Sequence, residues 1–96
     1  MEKISFYSKR DCPLCDTGLG KLVELAQRYG LEIEKVDIEN DAELFELYRY
    51  RIPVAVFRGD ELGWGRLSAG GLKRRLEQVL ASSGPEKTGS DGSGAT

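Results

Sequence analysis

The hydrophobic and polar positions of the first forty residues predict a strand, a helix and a second strand. Apolar and polar residues alternate over 3–7, and again within the stretch LEIEKVDIE up to Ile38, which indicates two strands. Between them a helix is predicted from Pro13 to about Tyr29, with Gly30 as its stop. Its apolar residues fall at helical spacing: Leu19, Leu22, Val23, Ala26 and Tyr29. This segment has the length of a right-handed strand–helix–strand unit.

The second half of the chain predicts a helix, a hairpin and a closing helix. Asp41 is placed to cap a short helix, and two strands follow, over 54–57 and 61–64, joined by a turn at 58–60. Ser68 is placed to cap a last helix, whose apolar face consists of Leu72, Leu76, Val79 and Leu80. The predicted fold is therefore α/β, in the order βαβαββα, with a four-stranded mixed sheet flanked by three helices.

The length and the composition of the last segment predict one domain and a tail. The chain has 96 residues, and from residue 82 onward it reads SSGPEKTGSDGSGAT, in which eight of fifteen residues are glycine or serine. Such a segment cannot bury enough apolar surface to offset the entropy lost on ordering. We therefore predict a disordered tail at 82–96 and a single domain at 1–81.

The charge balance and the residue types present exclude several partners and chemistries. The chain carries 14 basic and 16 acidic side chains, a net charge of −2, so we expect neither nucleic acid nor a membrane surface as a partner. It opens without a signal peptide and contains no apolar stretch of membrane-spanning length, so we expect a cytoplasmic protein. With two cysteines and no histidine, one chain cannot supply four thiolate and imidazole zinc ligands or a Cys-His couple. We expect no metal site within one chain.

The candidate chemistry lies in the motif C-P-L-C, at the junction between the first strand and the first helix. If Cys12 caps the helix and Pro13 is its first residue, the free N–H groups of Leu14 and Cys15 point back at the Cys12 sulfur. These donors and the helix dipole favour the thiolate, so we expect the pKa of the Cys12 thiol to lie well below that of a free thiol. Cys15, one turn into the helix, is placed to attack a mixed disulfide formed on Cys12.

Four charged residues flank the two cysteines and act in opposite directions. Lys9 and Arg10 favour the thiolate, whereas Asp11 and Asp16 disfavour it, and on exposed loops these effects largely cancel. The helix terminus should therefore determine the pKa. In a reducing compartment, two cysteines three residues apart indicate redox or metal chemistry rather than a structural disulfide. Two other interpretations stay open: a half-site for a metal ion shared between chains, and two thiols without a role.

The motif YSKRDCPLC, followed at the right separation by RIPVAVF and a glycine-containing turn, resembles the glutaredoxin branch of the thioredoxin superfamily. The resemblance covers about residues 3–80 and is nearest to small bacterial glutaredoxin-like proteins. It implies that Cys12 is the attacking thiol, that Cys15 is the resolving thiol and that Pro53 follows a cis peptide bond. In that arrangement the backbone N–H and C=O of Ile52 would pair with an extended thiol substrate.

The resemblance also implies contacts with glutathione, and here the sequence departs from the family in part. Lys9 stands three residues before Cys12, where glutaredoxins carry a basic residue that meets a glutathione carboxylate. At the start of the last helix, however, Ser68 and Ala69 stand where the family carries an acidic residue, so the amino group of glutathione would lack a charged partner. The thioredoxin pattern differs as well, because Phe6 occupies the position of its buried acid.

Three further residues are candidates for contact with a substrate. These are Arg10, Trp64 and Arg66. The simpler interpretation, which the residue types favour, is that Trp64 is a large apolar residue covering the hairpin and that Arg66 is a solvated surface charge. Pro13, Leu14 and Pro53 are expected to support the two cysteines.

We conclude from the sequence that the leading hypothesis is a thiol-disulfide oxidoreductase that uses a dithiol relay between Cys12 and Cys15. Its substrates would be disulfides of proteins or of small molecules, and an unidentified reductase or glutathione would reduce it again. No cofactor is required, and a monomer is expected. One alternative is an iron–sulfur cluster carrier, in which two chains and two glutathiones hold the cluster through Cys12. Another is a non-catalytic module that presents Ile52 and Trp64 to a partner and senses oxidation.

Overall fold

The computed structural model describes residues 2–82 and confirms the predicted order of helices and strands. Ser82 is the last residue of the final helix, and the rest of the predicted tail, 83–96, lies outside the described residues. The elements are β1 (Lys3–Ser8), α1 (Pro13–Tyr29), β2 (Glu32–Asp37), a 3-10 helix (Ile38–Asn40), α2 (Ala42–Tyr48), β3 (Val54–Phe57), β4 (Asp60–Trp64) and α3 (Ala69–Ser82).

The four strands form one mixed sheet in the order β2-β1-β3-β4. β1 is parallel to β2 and antiparallel to β3, and β3 is antiparallel to β4. Ser8, the last residue of β1, lies opposite Asp37 of β2, and its neighbour Tyr7 lies opposite Val54 of β3. The end of β1, from which the chain continues to Cys12, therefore lies beside the end of β2 and the start of β3.

The hydrophobic core lies between the sheet and the two helices α1 and α3. Ile4 and Phe6 of β1 are fully buried there, as their alternation with polar neighbours predicts. The predicted apolar face of α3 packs into the same core: Leu72, Leu76, Val79 and, partly, Leu80. Within residues 2–82 no polar or charged residue is buried, so apolar packing holds this fold together. None of the helices in this range has the length and apolar character needed to cross a membrane.

The helix α2 contributes little to that core. None of its residues is fully buried, and Leu47 is 60% exposed. The helix instead covers the other face of the sheet, where the ring of Tyr48 stacks on Tyr7 with 4.8 Å between their centroids. Asp41 caps the helix as predicted, because its carboxylate accepts hydrogen bonds from two backbone N–H groups of the first turn, at 2.9 and 3.1 Å.

Two predicted strand boundaries are corrected by local hydrogen bonding and turn geometry. The second strand ends at Asp37 rather than at Ile38, because the Asp37 carboxylate accepts a hydrogen bond from the Glu39 N–H at 2.9 Å and starts the 3-10 helix. The fourth strand begins at Asp60, because Arg58 and Gly59, with φ of 55° and 82°, form a two-residue hairpin turn.

The helix α1 contains two glycines, Gly18 and Gly20, and the structure explains the first of them. A Cβ atom added to Gly18 would lie 2.9 Å from Cδ1 of Leu67 and 3.3 Å from Cγ of Pro53. Since Leu67 and Pro53 are themselves buried, Gly18 lets the helix approach the start of β3 and the segment before α3. A Cβ atom added to Gly20 would have no neighbour within 4 Å, and nothing in the structure explains that glycine.

This difference predicts unequal effects on stability of two substitutions that carry the same gain in helix propensity. Gly20→Ala should raise the free energy of unfolding by up to about 1 kcal/mol, the usual advantage of alanine over glycine in a helix. Gly18→Ala carries the same advantage but must displace Leu67 and Pro53, so its free energy of unfolding should be about 1–3 kcal/mol lower than that of Gly20→Ala. Urea denaturation of the two variants measures the difference, and equal stabilisation by both would contradict the packing described for Gly18.

Candidate functional site

The loop between β1 and α1 places Cys12 as the residue that caps the helix. Asp11 adopts a left-handed conformation, with φ of 55°, and Cys12 returns to extended backbone with φ of −126°. The Cys12 sulfur accepts a hydrogen bond from the Cys15 N–H at 3.1 Å, and the Cys12 carbonyl accepts one from the Asp16 N–H at 3.1 Å. Pro13 is the first helical residue, as predicted. The predicted capping of the helix by sulfur is therefore confirmed.

One detail of the predicted cap is wrong. The sulfur accepts from Cys15 and not also from Leu14, whose N–H makes no hydrogen bond to it. A capping side chain generally reaches the second or the third helical N–H, and here it bonds the third. Leu14 lies on the first turn of the helix between the two cysteines, and its side chain is 37% exposed. Among residues 2–82, it makes no hydrogen bond to either sulfur atom.

Cys12 and Cys15 form a disulfide, and their Cα atoms are 5.2 Å apart. The two sulfur-bearing residues differ in exposure: Cys12 is partly exposed at the helix end, whereas Cys15 is 3% exposed and faces the core. An external thiol or disulfide can therefore reach Cys12 far more readily than Cys15.

Pro53 lies next to the cysteine helix, and the Ile52-Pro53 peptide bond is cis, as the resemblance implied. Pro53 is fully buried, and its ring packs against α1 at Gly18, one turn beyond Cys15. The N–H of Gly65 donates to the carbonyls of Arg51 and Pro53, at 3.1 and 2.8 Å. Within residues 2–82, the N–H and C=O of Ile52 make no hydrogen bond. The backbone of Ile52 is therefore open to pair with another chain.

Lys9 and Arg10 lie in a depression of about 300 Å³ on the Cys15 side of the disulfide. Its charged lining consists of three basic and three acidic residues: Lys9, Arg10, Lys35, Asp11, Asp16 and Asp37. The lining thus contains equal numbers of basic and acidic side chains, which gives the depression no excess charge to attract an anion. The sequence interpretation did not include Lys35 and Asp37. The pairing of parallel strands, which brings Asp37 beside Ser8, could have indicated them.

Trp64 and Arg66 lie on the opposite side of the site from that depression, at and beyond the end of β4. Trp64 is opposite Val54, the residue after Pro53, and is 52% exposed. The guanidinium of Arg51 lies over its ring, with 4.9 Å from Cζ to the ring centroid. Arg51 was not predicted, because its contact with Trp64 follows from the pairing of β3 with β4 and from no pattern in the sequence.

The described residues hold no group of three or more histidine, cysteine, aspartate or glutamate side chains placed to bind a metal ion. The two sulfur atoms are joined to each other instead. The two sulfur atoms are placed for the chemistry of a dithiol and its disulfide.

A four-stranded βαβαββα sheet with a disulfide at its first strand–helix junction defines a member of the thioredoxin superfamily. Thioredoxin 1 from Thermosipho africanus is similar in fold, with 19% identity and a TM-score of 0.62 over 84% of this chain and 97% of that one. A structural genomics target protein from X. campestris is 33% identical, with a TM-score of 0.66 over 78% of this chain and 96% of that one.

A protein from Nitrosomonas europaea is also similar, with 28% identity and a TM-score of 0.64 over 76% of this chain and 88% of that one. Residues 3–77 match the family described as "Glutaredoxin-like domain (DUF836)". The chain belongs to this glutaredoxin-like family, as the motif around Cys12 indicated.

The difference in exposure predicts which sulfur reacts first after reduction. We expect a limiting amount of iodoacetamide to modify Cys12 in the folded, reduced protein and to leave Cys15 largely unmodified, because Cys15 is 3% exposed. Mass spectrometry of the digested protein identifies the modified residue. The same reaction in concentrated urea serves as the control, in which both residues should react. Equal labelling in the folded protein would contradict this arrangement.

Proposed function

We propose that the protein is a thiol-disulfide oxidoreductase that reduces disulfides of other molecules with Cys12 as nucleophile and Cys15 as resolving thiol. The observation that carries this proposal is the capping of α1 by the Cys12 sulfur, at 3.1 Å from the Cys15 N–H, with the partner sulfur buried beside it. A reactive, accessible sulfur and a protected second one are what a dithiol relay requires.

The relay proceeds in two exchanges. The Cys12 thiolate attacks one sulfur of the substrate disulfide, forms a mixed disulfide and releases the other substrate sulfur as a thiolate, which takes a proton from water. The Cys15 thiol then loses its proton and attacks the Cys12 sulfur, which breaks the mixed disulfide and releases the second substrate thiol. The substrate has gained two electrons and two protons, and the protein carries the Cys12–Cys15 disulfide.

The helix end keeps the Cys12 sulfur in the thiolate form, which is the form that attacks in the first exchange. In the disulfide form the Cys15 N–H donates to the Cys12 sulfur at the positive end of the α1 dipole. The same arrangement in the reduced protein would stabilise the Cys12 thiolate. Because the carboxylates of Asp11 and Asp16 are offset by Lys9 and Arg10, the helix end decides the outcome. The pKa of the reduced Cys12 thiol should therefore be lower than that of a free thiol.

The open backbone of Ile52 supports the binding of an extended substrate segment. Since its N–H and C=O have no partner within residues 2–82, a substrate chain can add to this edge through main-chain hydrogen bonds. Such bonds do not depend on the substrate's side chains. They suit an enzyme that must hold a disulfide in line with the Cys12 sulfur.

The catalytic cycle needs an electron donor and no resident cofactor. Two molecules of a thiol such as glutathione can reduce the Cys12–Cys15 disulfide by the reverse of the two exchanges and leave as glutathione disulfide. A dithiol reductase protein could supply the same electron pair. Because one chain contains both sulfur atoms and the Ile52 edge, we propose that it acts as a monomer.

The Cys12 pKa can be measured in Cys15→Ser, in which Cys12 is the only thiol. The rate of its alkylation by iodoacetamide should reach its plateau at a lower pH than for a free cysteine, whose pKa is about 8.5, because the folded state stabilises the thiolate. The same variant in concentrated urea is the control and should show the free-thiol midpoint. By linkage, this stabilisation of the fold is present above the unfolded pKa and is lost as the pH falls through the folded pKa. Identical midpoints in the folded and unfolded variant would refute the role of the helix end.

Trapping tests the relay itself. Cys15→Ser should accumulate as a mixed disulfide with a disulfide-bonded peptide, because the resolving thiol is absent. Cys12→Ser, the matched control, should form no such adduct under the same conditions, since Cys15 is buried. Non-reducing mass spectrometry measures both adducts. The proposed order of attack is wrong if the adduct forms on Cys12→Ser and not on Cys15→Ser.

A further inference from the structure

Trp64 is held in a fixed position at the end of β4, although half of its surface is exposed. The guanidinium of Arg51 lies over the ring at 4.9 Å, and the same group donates to the Glu61 carboxylate at 2.7 Å. The backbone of Arg51 is fixed at both ends, by its N–H donating to Tyr48 at 2.8 Å and by its carbonyl accepting from Gly65 at 3.1 Å. We refer to Arg51 and Trp64 together as the Arg51–Trp64 platform.

A fixed aromatic side chain of this kind is suited to contact with another molecule. Ordering a side chain at an interface costs free energy, and that cost is avoided where the ring is already held before binding. Tryptophan and arginine are also the residue types that most often dominate the energetics of protein interfaces. The 52% exposure of Trp64 leaves part of its ring available for such a contact.

The position of the platform sets the length of substrate that can reach it. Trp64 lies opposite Val54 on β4, with β3 between it and β1, whose end leads to Cys12. Two strand spacings amount to about 10 Å, and an extended chain covers about 3.3 Å per residue. An extended chain that crosses this edge of the sheet from the end of β1 would therefore need about three residues to reach the end of β4, where Trp64 lies. Glutathione has one residue on each side of its cysteine, so it does not extend that far.

The surface beside Trp64 also fits a side chain better than a whole small molecule. Trp64, Arg66 and Leu67 line a depression of about 140 Å³ between β4 and the start of α3. Sites for small ligands generally enclose about 300 Å³ or more. The first turn of α3 contains no acidic residue, and the Ser68 hydroxyl is already used to cap the helix by accepting from the Gly71 N–H at 3.0 Å. The amino group of glutathione therefore has no carboxylate to bind there.

We propose that the Arg51–Trp64 platform binds an apolar side chain about three residues from the reacting cysteine of an extended polypeptide, and so directs the enzyme towards polypeptide disulfides. This proposal rests on the function proposed above. Trp64 contacts the substrate, and Arg51 is a positioning residue that acts by holding the ring.

Two disulfide-bonded peptides of seven residues per chain test the platform. One has leucine three residues before and after the central cysteine, and the other has glycine at both positions. Replacing Trp64 by alanine should raise KM for the leucine peptide by about five- to thirtyfold, the effect of losing an aromatic anchor. The same variant should change kcat/KM for bis(2-hydroxyethyl) disulfide by less than twofold. Tyr50→Ala removes an 84% exposed ring that precedes Arg51 in the chain but contacts Arg49 rather than the platform, and it should leave both values unchanged within twofold.

A second measurement does not depend on turnover. Trp64 is the only tryptophan in the chain, so its fluorescence reports on the platform alone. In Cys15→Ser carrying a peptide on Cys12, the leucine peptide should protect Trp64 from quenching by acrylamide, and the glycine peptide should not. Arg51→Lys keeps the charge but loses the planar group, and it should reduce this protection while leaving adduct formation intact.

The outcomes separate this proposal from the proposed function. Equal fluorescence protection by the two peptides, or an equal loss of activity towards both substrates in Trp64→Ala, would overturn the platform and leave the dithiol relay standing. If the unaltered protein reduces neither the peptide nor the small disulfide, and no adduct forms on Cys12, the proposed function itself fails. Protection by the leucine peptide alone, together with a selective rise in KM, supports the platform.

Discussion

The hydrogen bond from the Cys15 amide to the Cys12 sulfur connects the reactivity of this protein to its fold. It exists only because β1 ends at Ser8 and Pro13 begins the helix, and because Asp11 between them turns the chain in a left-handed conformation. The same geometry leaves Cys12 at the surface and turns Cys15 toward the core. The exposure of one sulfur and the burial of the other are therefore both consequences of where one helix starts.

The cis-proline segment at Pro53 is distant in sequence from the two cysteines. Its packing against α1 brings it close to them. Gly18 admits the ring of Pro53 and the side chain of Leu67 against the helix. One turn further along, the Lys21 ammonium group donates to the Leu67 carbonyl at 3.0 Å. The helix that carries the cysteines thus also fixes the Ile52 edge and the segment after β4. Backbone packing and one buried leucine therefore set how close the cis-proline segment lies to the helix of the cysteines.

Much of this arrangement could be predicted from residues that act locally. Pro13, Gly30 and Asp41 each start, stop or cap a helix by their own stereochemistry, and the structure places them in those roles. The sequence did not reveal that Ile38 leaves the second strand, since a carboxylate hydrogen bond there overrides an apolar pattern. Contacts such as that of Arg51 with Trp64 depend on which residues face each other across β3 and β4, and no spacing along the chain encodes that pairing.

The core between the sheet and its helices contains no ionisable group within residues 2–82 apart from the Cys15 sulfur. The ion pairs of this range, such as Arg58 with Glu2 and Lys73 with Glu77, lie at the surface, where water and salt weaken them. Acid or alkali therefore finds little in the interior to protonate or to ionise. The pH dependence of unfolding therefore originates at the surface, in groups such as Glu2 and Glu77, whose pKa values are lowered by hydrogen bonds from Arg58 and from Tyr29.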